Sequence, residues 1–172
     1  MQLTMYPAQI LKEPCKPVTV GSKAAREIAD ELRLALRMHR RKGVALAANQ
    51  IGHGVTMFVL DTGYLKLKCP SVFVNPQLIF TDMESDVEME YCLSFPESVG
   101  IPVKRTKRVT VTAFDDGGAQ FSVDLEGIAA RCVQHEHDHL IGKTLLTHAT
   151  LAQKKKAMKA IVKALKMKVS NK

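Results

Sequence analysis

The chain of 172 residues has no tryptophan, and aromatic residues are only 5% of it. A single-stranded nucleic-acid surface built on stacked rings is therefore not expected. Long apolar runs are missing too: no stretch approaches the length of a membrane span, and Pro7, Glu13 and Pro14 break up the N-terminal region. The four cysteines, Cys15, Cys69, Cys92 and Cys132, form no CxxC pair and no dense framework, so free thiols or a metal ligand are expected rather than disulfides. With no leader or span legible, the expected compartment is the cytoplasm, with no membrane partner. Acidic residues are absent after His139. The formal net charge of +8 looks like a polyanion signal until it is located: 151–172 carries eight lysines and no acid, and with these removed 17 basic residues face 17 acidic ones. The body is neutral, so the question of a basic partner concerns the last helix alone, and no specific DNA partner is expected.

The length and an apolar fraction of 46% fit one domain over 1–172, expected to be monomeric. Ser22 to Lys42 reads as a helix, with Ile28, Leu32, Leu36 and His39 at helical spacing, Ser22 as cap and Gly43 as terminator. Thr56–Leu60 and Ser71–Phe80 read as strands, the second interrupted by Asn75-Pro76. Val109–Phe114 alternates, and Asp115-Asp116-Gly117-Gly118 signals a turn into Phe121–Leu125. Gly127–Ile141 is an apolar, hence central, helix; Leu151–Val169 is a third. Separated helices around strands predict an α+β fold, with mixed or antiparallel sheets packed around the central helix and N- and C-terminal helices beside them. In the last helix Met158, Ile161, Val162, Leu165 and Val169 form an apolar stripe, and Lys155, Lys156, Lys159, Lys163 and Lys166 lie mostly opposite.

His135-Glu136-His137-Asp138-His139 contains HExxH. On a helix, residues four apart share a face, so His135 and His139 can reach one metal while Glu136 reaches a water as general base. The plain alternative is a pair of solvated or hydrogen-bonded histidines, which the apolar surroundings disfavour. A catalytic site needs a third protein ligand and an open position. With no acid downstream of His139, that ligand comes from upstream, and Cys92 suits the role by context, although such a cysteine is also commonly a buried thiol. Asp138 is expected to brace a ligand, cap the helix or stand in solvent.

Three separated segments resemble the peptide deformylase family. The pattern GxGLAAxQ appears as Gly43-Val44-Ala45-Leu46-Ala47-Ala48-Asn49-Gln50, EGCLS as Glu90-Tyr91-Cys92-Leu93-Ser94, and QHExDH as Gln134 to His139. Looser likeness runs from Tyr6-Pro7 to Leu140-Ile141-Gly142-Lys143. The resemblance implies removal of the N-formyl group from the N-terminal methionine of nascent polypeptides, with release of formate. It implies one divalent metal on Cys92, His135 and His139, with Fe²⁺ native and Zn²⁺ or Ni²⁺ able to replace it. It also implies Glu136 as proton carrier and oxyanion donors from Gln50 and the Leu93 backbone. The peptide, an N-formylmethionyl chain, would lie against Gly43, Val44, Ala45, Glu90, Tyr91, Arg131 and Cys132, and the lysine-rich helix would meet the ribosome.

Three positions depart from the family. Ala45 and Tyr91 replace glycines, which would reshape the peptide groove. Arg131, one turn before His135, stands where the family has an aliphatic residue lining the methionine pocket. Two placements follow: folded away against an acid such as Glu90 or Glu126, which is favoured, or facing the substrate and altering the preference for its first residue. Other function classes stay in view: a weakened relative that binds formyl or acetyl peptides with little turnover, an RNA- or ribosome-binding module, and an HExxH protease. The last lacks its downstream ligand.

Overall fold

The computed structural model describes residues 2–80 and 84–170, with side chains to Met167. Helix α1 (Lys23–His39) begins where Ser22 accepts a hydrogen bond from the Ala25 N–H at 3.1 Å, and it buries Ala25, Ala29, Leu32, Ala35 and Leu36. It stops short of the expected Lys42: Arg40 closes it, and a further turn returns the Gly43 N–H to His39 O at 3.3 Å. Strands β1 (Ala45–Ala47), β2 (Met57–Leu60), β3 (Val72–Ile79), β6 (Arg108–Phe114) and β7 (Gln120–Glu126) form a five-stranded sheet in the order β1-β2-β3-β6-β7. Strands β4 (Ser85–Glu90) and β5 (Ile101–Thr106) make a separate ribbon. Every pairing between these strands is antiparallel. Helices α2 (Gly127–Leu140) and α3 (Leu151–Ser170) complete the α+β arrangement.

The sheet is a partition between two cores, which explains the unbroken apolar run of β2. Successive strand residues face opposite sides, so Phe58 and Leu60 pack with Ala130 and Val133 of α2, while Met57 and Val59 pack with Leu32 and Leu36 of α1. Phe58 stacks on Phe73 with ring centroids 4.7 Å apart. A third core joins Cys92, Phe95, Ile101 and Val103 to Leu145, Leu146, Ala157 and Ile161.

Asn75-Pro76 does not interrupt β3. The register shifts there between Val74 and Gln77, Asn75 adopts φ of 47°, and its side chain accepts from Val18 N–H (3.1 Å) and donates to Val18 O (2.8 Å). A bulge accommodates a proline without an N–H and an asparagine that tolerates the left-handed region. The N-terminal arm also closes the far end of α2: Pro14 bridges Ile141, and the Cys15 N–H donates to Leu140 O at 2.8 Å.

Among the described side chains of α3, only Ala157 and Ile161 are buried; Met158, Val162 and Leu165 are exposed, against the expected stripe, and the Val169 side chain lies outside the described residues. The helix touches the body along a narrower line than its sequence suggests, with Lys155, Lys156, Lys159, Lys163 and Lys166 all exposed. Among the described residues, no helix is long and apolar enough to cross a membrane.

Candidate metal centre

Strand β4 ends at Glu90, and the loop that follows carries Cys92 to the face of α2 that holds the two histidines. The ligand-capable atoms of Cys92, His135 and His139 all lie within 4.8 Å of one another, and Cys92 Sγ is 3.2 Å from His139 Nε2. The two imidazoles meet edge to face, their centroids 5.3 Å apart, as the four-residue spacing on one helix face requires. All four cysteines are free thiols.

Each ligand candidate is held from behind. His135 Nδ1 donates to Glu90 Oε2 at 2.9 Å, which leaves Nε2 to face the cluster. The carbonyl of His139 accepts from Asn49 Nδ2 at 2.8 Å. Burial, then the field of His135 and Arg105, pushes His139 well below its ordinary value, so it is neutral near pH 7 and offers a lone pair. Gln50, in a 3₁₀ turn over Ala48–Ile51, accepts from the Ala47 N–H at 2.8 Å and points its Nε2 at Cys92 Sγ (3.5 Å) and Ser94 Oγ (3.1 Å).

Glu136 is 3% exposed, and its Oε2 has no hydrogen-bond partner among the described residues. Burial raises its carboxyl to about 7; Glu90 and Asp138 add to this while His135 and Arg105 oppose it. A sulfur and two imidazole nitrogens converge, and the residue after His135 on the same helix carries a buried carboxylate oxygen with no partner among the described residues. A divalent metal suits this donor set, and the orphaned oxygen is where a proton acceptor for metal-activated water belongs.

Behind the cluster lies a charged layer that the sequence did not reveal. Arg105 is 6% exposed; its Nε and Nη2 donate to the two oxygens of Glu90 (both 3.0 Å), and Nη1 donates to Asp138 Oδ2 at 2.6 Å. His148 Nε2 also reaches Asp138 Oδ2, at 2.7 Å. Burial alone would raise the Glu90 carboxyl, but hydrogen bonds from His135 and Arg105 hold it at about 2. The signal for Arg105 was present: Ile101-x-Val103-x-Arg105 alternates, which sets the guanidinium on the apolar face of a strand. Asp138 thus braces the cluster through Arg105.

The remaining residues named from the sequence divide. Tyr91, Cys92 and Leu93 line one cavity of ≈ 900 Å³ with Phe95 and with Ile161 and Leu165 of α3. Gly43 packs so tightly on Leu93 that an added Cβ would sit 2.9 Å from Leu93 Cδ1. Val44 lies in a second cavity with Tyr64, and Ala45 begins β1 at the sheet edge. The ring of Tyr91 is exposed and lies over Gly100. Cys132 is half-buried, and its thiol is pushed up to about 12 by burial and then by Glu136 and Glu90. Arg131 is folded against Glu90, as favoured, and also against Asp86 and Glu88, whereas Glu126 pairs with Arg108 instead.

Residues 1–156 match the family model described as polypeptide deformylase. The peptide deformylase of Bartonella henselae is 33% identical over 167 residues, covering 96% of this chain and 93% of that protein. That of Thermotoga maritima is 33% identical over 153 residues, covering 89% of each. Among solved structures, a peptide deformylase from Legionella pneumophila superposes with a TM-score of 0.86 at 28% identity, covering 98% of this chain and 96% of that one. The likeness runs through the fold and through the segments that build the cluster, and the chain belongs to the peptide deformylase family, the hydrolases that take the N-formyl group off newly made polypeptides.

Proposed function

We propose that Cys92, His135 and His139 hold the single divalent metal with which this enzyme hydrolyses the formyl amide of an N-formylmethionyl peptide. The observation that carries this is the convergence of the three ligand atoms, with Glu136 next to His135 on α2 and its buried Oε2 without a partner among the described residues. A thiolate with two imidazoles suits Fe²⁺, Zn²⁺ and Ni²⁺ alike, and Fe²⁺ is the resident ion that the family resemblance points to. Bound there, the metal supplies Lewis acidity, which makes a water reactive near neutral pH and polarises the formyl carbonyl.

The protein groups do the rest. Glu136 takes a proton from the attacking water and delivers it to the departing amine, so that formate and a free N-terminal amine result. Its buried setting, which raises the carboxyl to about 7, suits a group that must both accept and give up a proton near neutral pH. Gln50 Nε2–H and the Leu93 N–H donate to the formyl oxygen as it gains charge, each worth about 3 kcal/mol in comparable sites. The peptide backbone runs along Gly43, Val44 and Ala45, with β1 open at the sheet edge, and past Tyr91 and Cys132, while Glu90 and Arg131 stay folded against each other.

The test is formate release from formyl-Met-Ala-Ser by anaerobically prepared Fe²⁺ protein. Glu136→Ala is expected to keep one metal per chain and to lose hydrolysis by at least about a hundredfold. Retained turnover in that variant would remove Glu136 from its role. The exposed lysines of α3 are proposed to meet the ribosome in the cytoplasm. Neutralising Lys155, Lys156, Lys159 and Lys163 together should then weaken salt-sensitive ribosome co-sedimentation without slowing short-peptide hydrolysis, and unchanged sedimentation at low salt refutes the contact.

A further inference from the structure

Arg131 is a buried cation, 7% exposed, that the chemistry above does not use. Its Nη1 donates to Glu90 Oε1 (2.8 Å) and to Val103 O (3.0 Å), its Nη2 donates to Asp86 Oδ1, and its Nε lies 3.2 Å from Glu88 Oε2. Asp86, Glu88 and Glu90 alternate along β4, so one face of that strand presents three carboxylates to one guanidinium on α2. Val87 and Met89, on the opposite face, are exposed.

Glu90 is the shared element. Its Oε1 accepts from Arg105 Nε (3.0 Å) and Arg131 Nη1 (2.8 Å); its Oε2 accepts from Arg105 Nη2 (3.0 Å) and His135 Nδ1 (2.9 Å). A carboxylate offers about four lone-pair directions, so these four donors use them all and fix its rotation. Arg105 is also held by Asp138 of α2. Arg131 is anchored separately, by Asp86 and Glu88 of β4.

We infer that Arg131 is a positioning residue for the metal centre: through Glu90 it sets the orientation of His135, and so the direction in which Nε2 meets Cys92 and His139. This rests on the reading of those three residues as metal ligands. It also explains how an arginine occupies a position where the family resemblance leads one to expect an aliphatic side chain. The acids of β4 receive it, and Arg131 and Arg105 together carry less charge than the four carboxylates around them, Asp86, Glu88, Glu90 and Asp138. No positive charge is left over for an acidic first residue of the substrate.

The experiment uses full-length protein with Co²⁺ as the probe. It reads the dissociation constant by chelator competition, the thiolate charge-transfer and d–d bands, and kcat and KM for a formyl-Met peptide. Arg131→Ile is expected to raise the Co²⁺ dissociation constant by about 10- to 100-fold, the usual cost of losing support behind a ligand, and to shift the d–d bands. It should lower kcat and leave KM unchanged. Arg131→Lys, whose single ammonium cannot hold Glu90, Asp86 and the Val103 carbonyl together, recovers only part of the affinity. Should Arg131→Ile fail to fold, the double variant Asp86→Asn/Glu88→Gln removes the outer anchors and is expected to weaken Co²⁺ binding by about 3- to 10-fold. Unchanged affinity and bands in whichever of these variants folds would overturn the proposal. So would a changed KM, or a changed ratio between formyl-Met and formyl-Glu peptides, at unchanged Co²⁺ affinity. A natural protein that binds Co²⁺ without a thiolate band would instead remove the metal reading itself, and this role with it.

Discussion

Replacing Arg105 with methionine, a side chain of similar length without charge, isolates the charged layer behind the metal centre. Three of its N–H contacts go to Glu90 and Asp138 at 2.6–3.0 Å, and it is 6% exposed, so water cannot take its place. The variant leaves two carboxylates facing each other across the gap. Glu90 is held at about 2 rather than its ordinary 4.5, and its ionised state contributes roughly 3 kcal/mol at neutral pH, shared between Arg105 and His135. Adding the exposed need of Asp138, Arg105→Met should destabilise by about 3–5 kcal/mol, the usual loss on breaking a buried pair from one side. The assay is urea unfolding in chelator, so that metal release adds nothing to the transition. Because the folded value of Glu90 is depressed, its contribution is complete above about pH 4.5 and fades as pH falls toward about 2. The difference between natural protein and variant should therefore narrow across that acid window. A loss below about 1 kcal/mol at pH 7, or a difference that widens on acidification, would refute the reasoning.

Gly142 has φ of 73°, and an added Cβ would lie 2.8 Å from Lys12 O and 2.9 Å from the Glu13 carbonyl carbon. Gly142→Ala should therefore cost at least about 2 kcal/mol in chemical denaturation, since the atoms it would meet are backbone of the arm, which has little room to give. Asp116 receives Arg33 Nη1 and Nη2 at 2.9 Å each, and this pairing holds its carboxyl below the ordinary range. Asp116→Asn should cost about 1 kcal/mol at pH 7, discounted for partial exposure, and less as acid protonates the natural aspartate; a loss that does not depend on pH would contradict the ion pair.

The parts of the fold that could be read from sequence were those where one local rule decides. Ser22 caps α1, the double-glycine turn joins β6 to β7, and apolar residues surround HExxH on α2. Strand β1 escaped because three residues are too few for a period, and β5 because Pro102 breaks its pattern. Strand β4 escaped because its apolar residues, Val87 and Met89, face outward while its acids face in. That inversion also hid two of the partners of Arg131: Glu90 was expected, but Asp86 and Glu88 join it only once β4 is known to be a strand whose acids share one face. The trio Cys92, His135 and His139 was readable because motif spacing and ligand type agree. Arg105 was missed although it follows Ile101 and Val103 at alternate positions, because Pro102 between them argued against reading a strand there.

The closure of α2 by the N-terminal arm has a consequence for the order of assembly. Cys15 secures Leu140, Asn49 secures His139, and Cys92 meets His139, contacts between residues 125, 90 and 47 positions apart in the sequence. On a ribosome the arm, the Asn49 turn and Cys92 all emerge before the helix that completes them. They wait with their partners missing until residues past 140 leave the tunnel. Contacts so far apart in sequence are slow to form, because chain entropy is lost before they return anything. The site that processes the first residue of other proteins is thus among the last places in this one to mature, and a chain released short of His135 has two of its supports and one ligand candidate, but no centre.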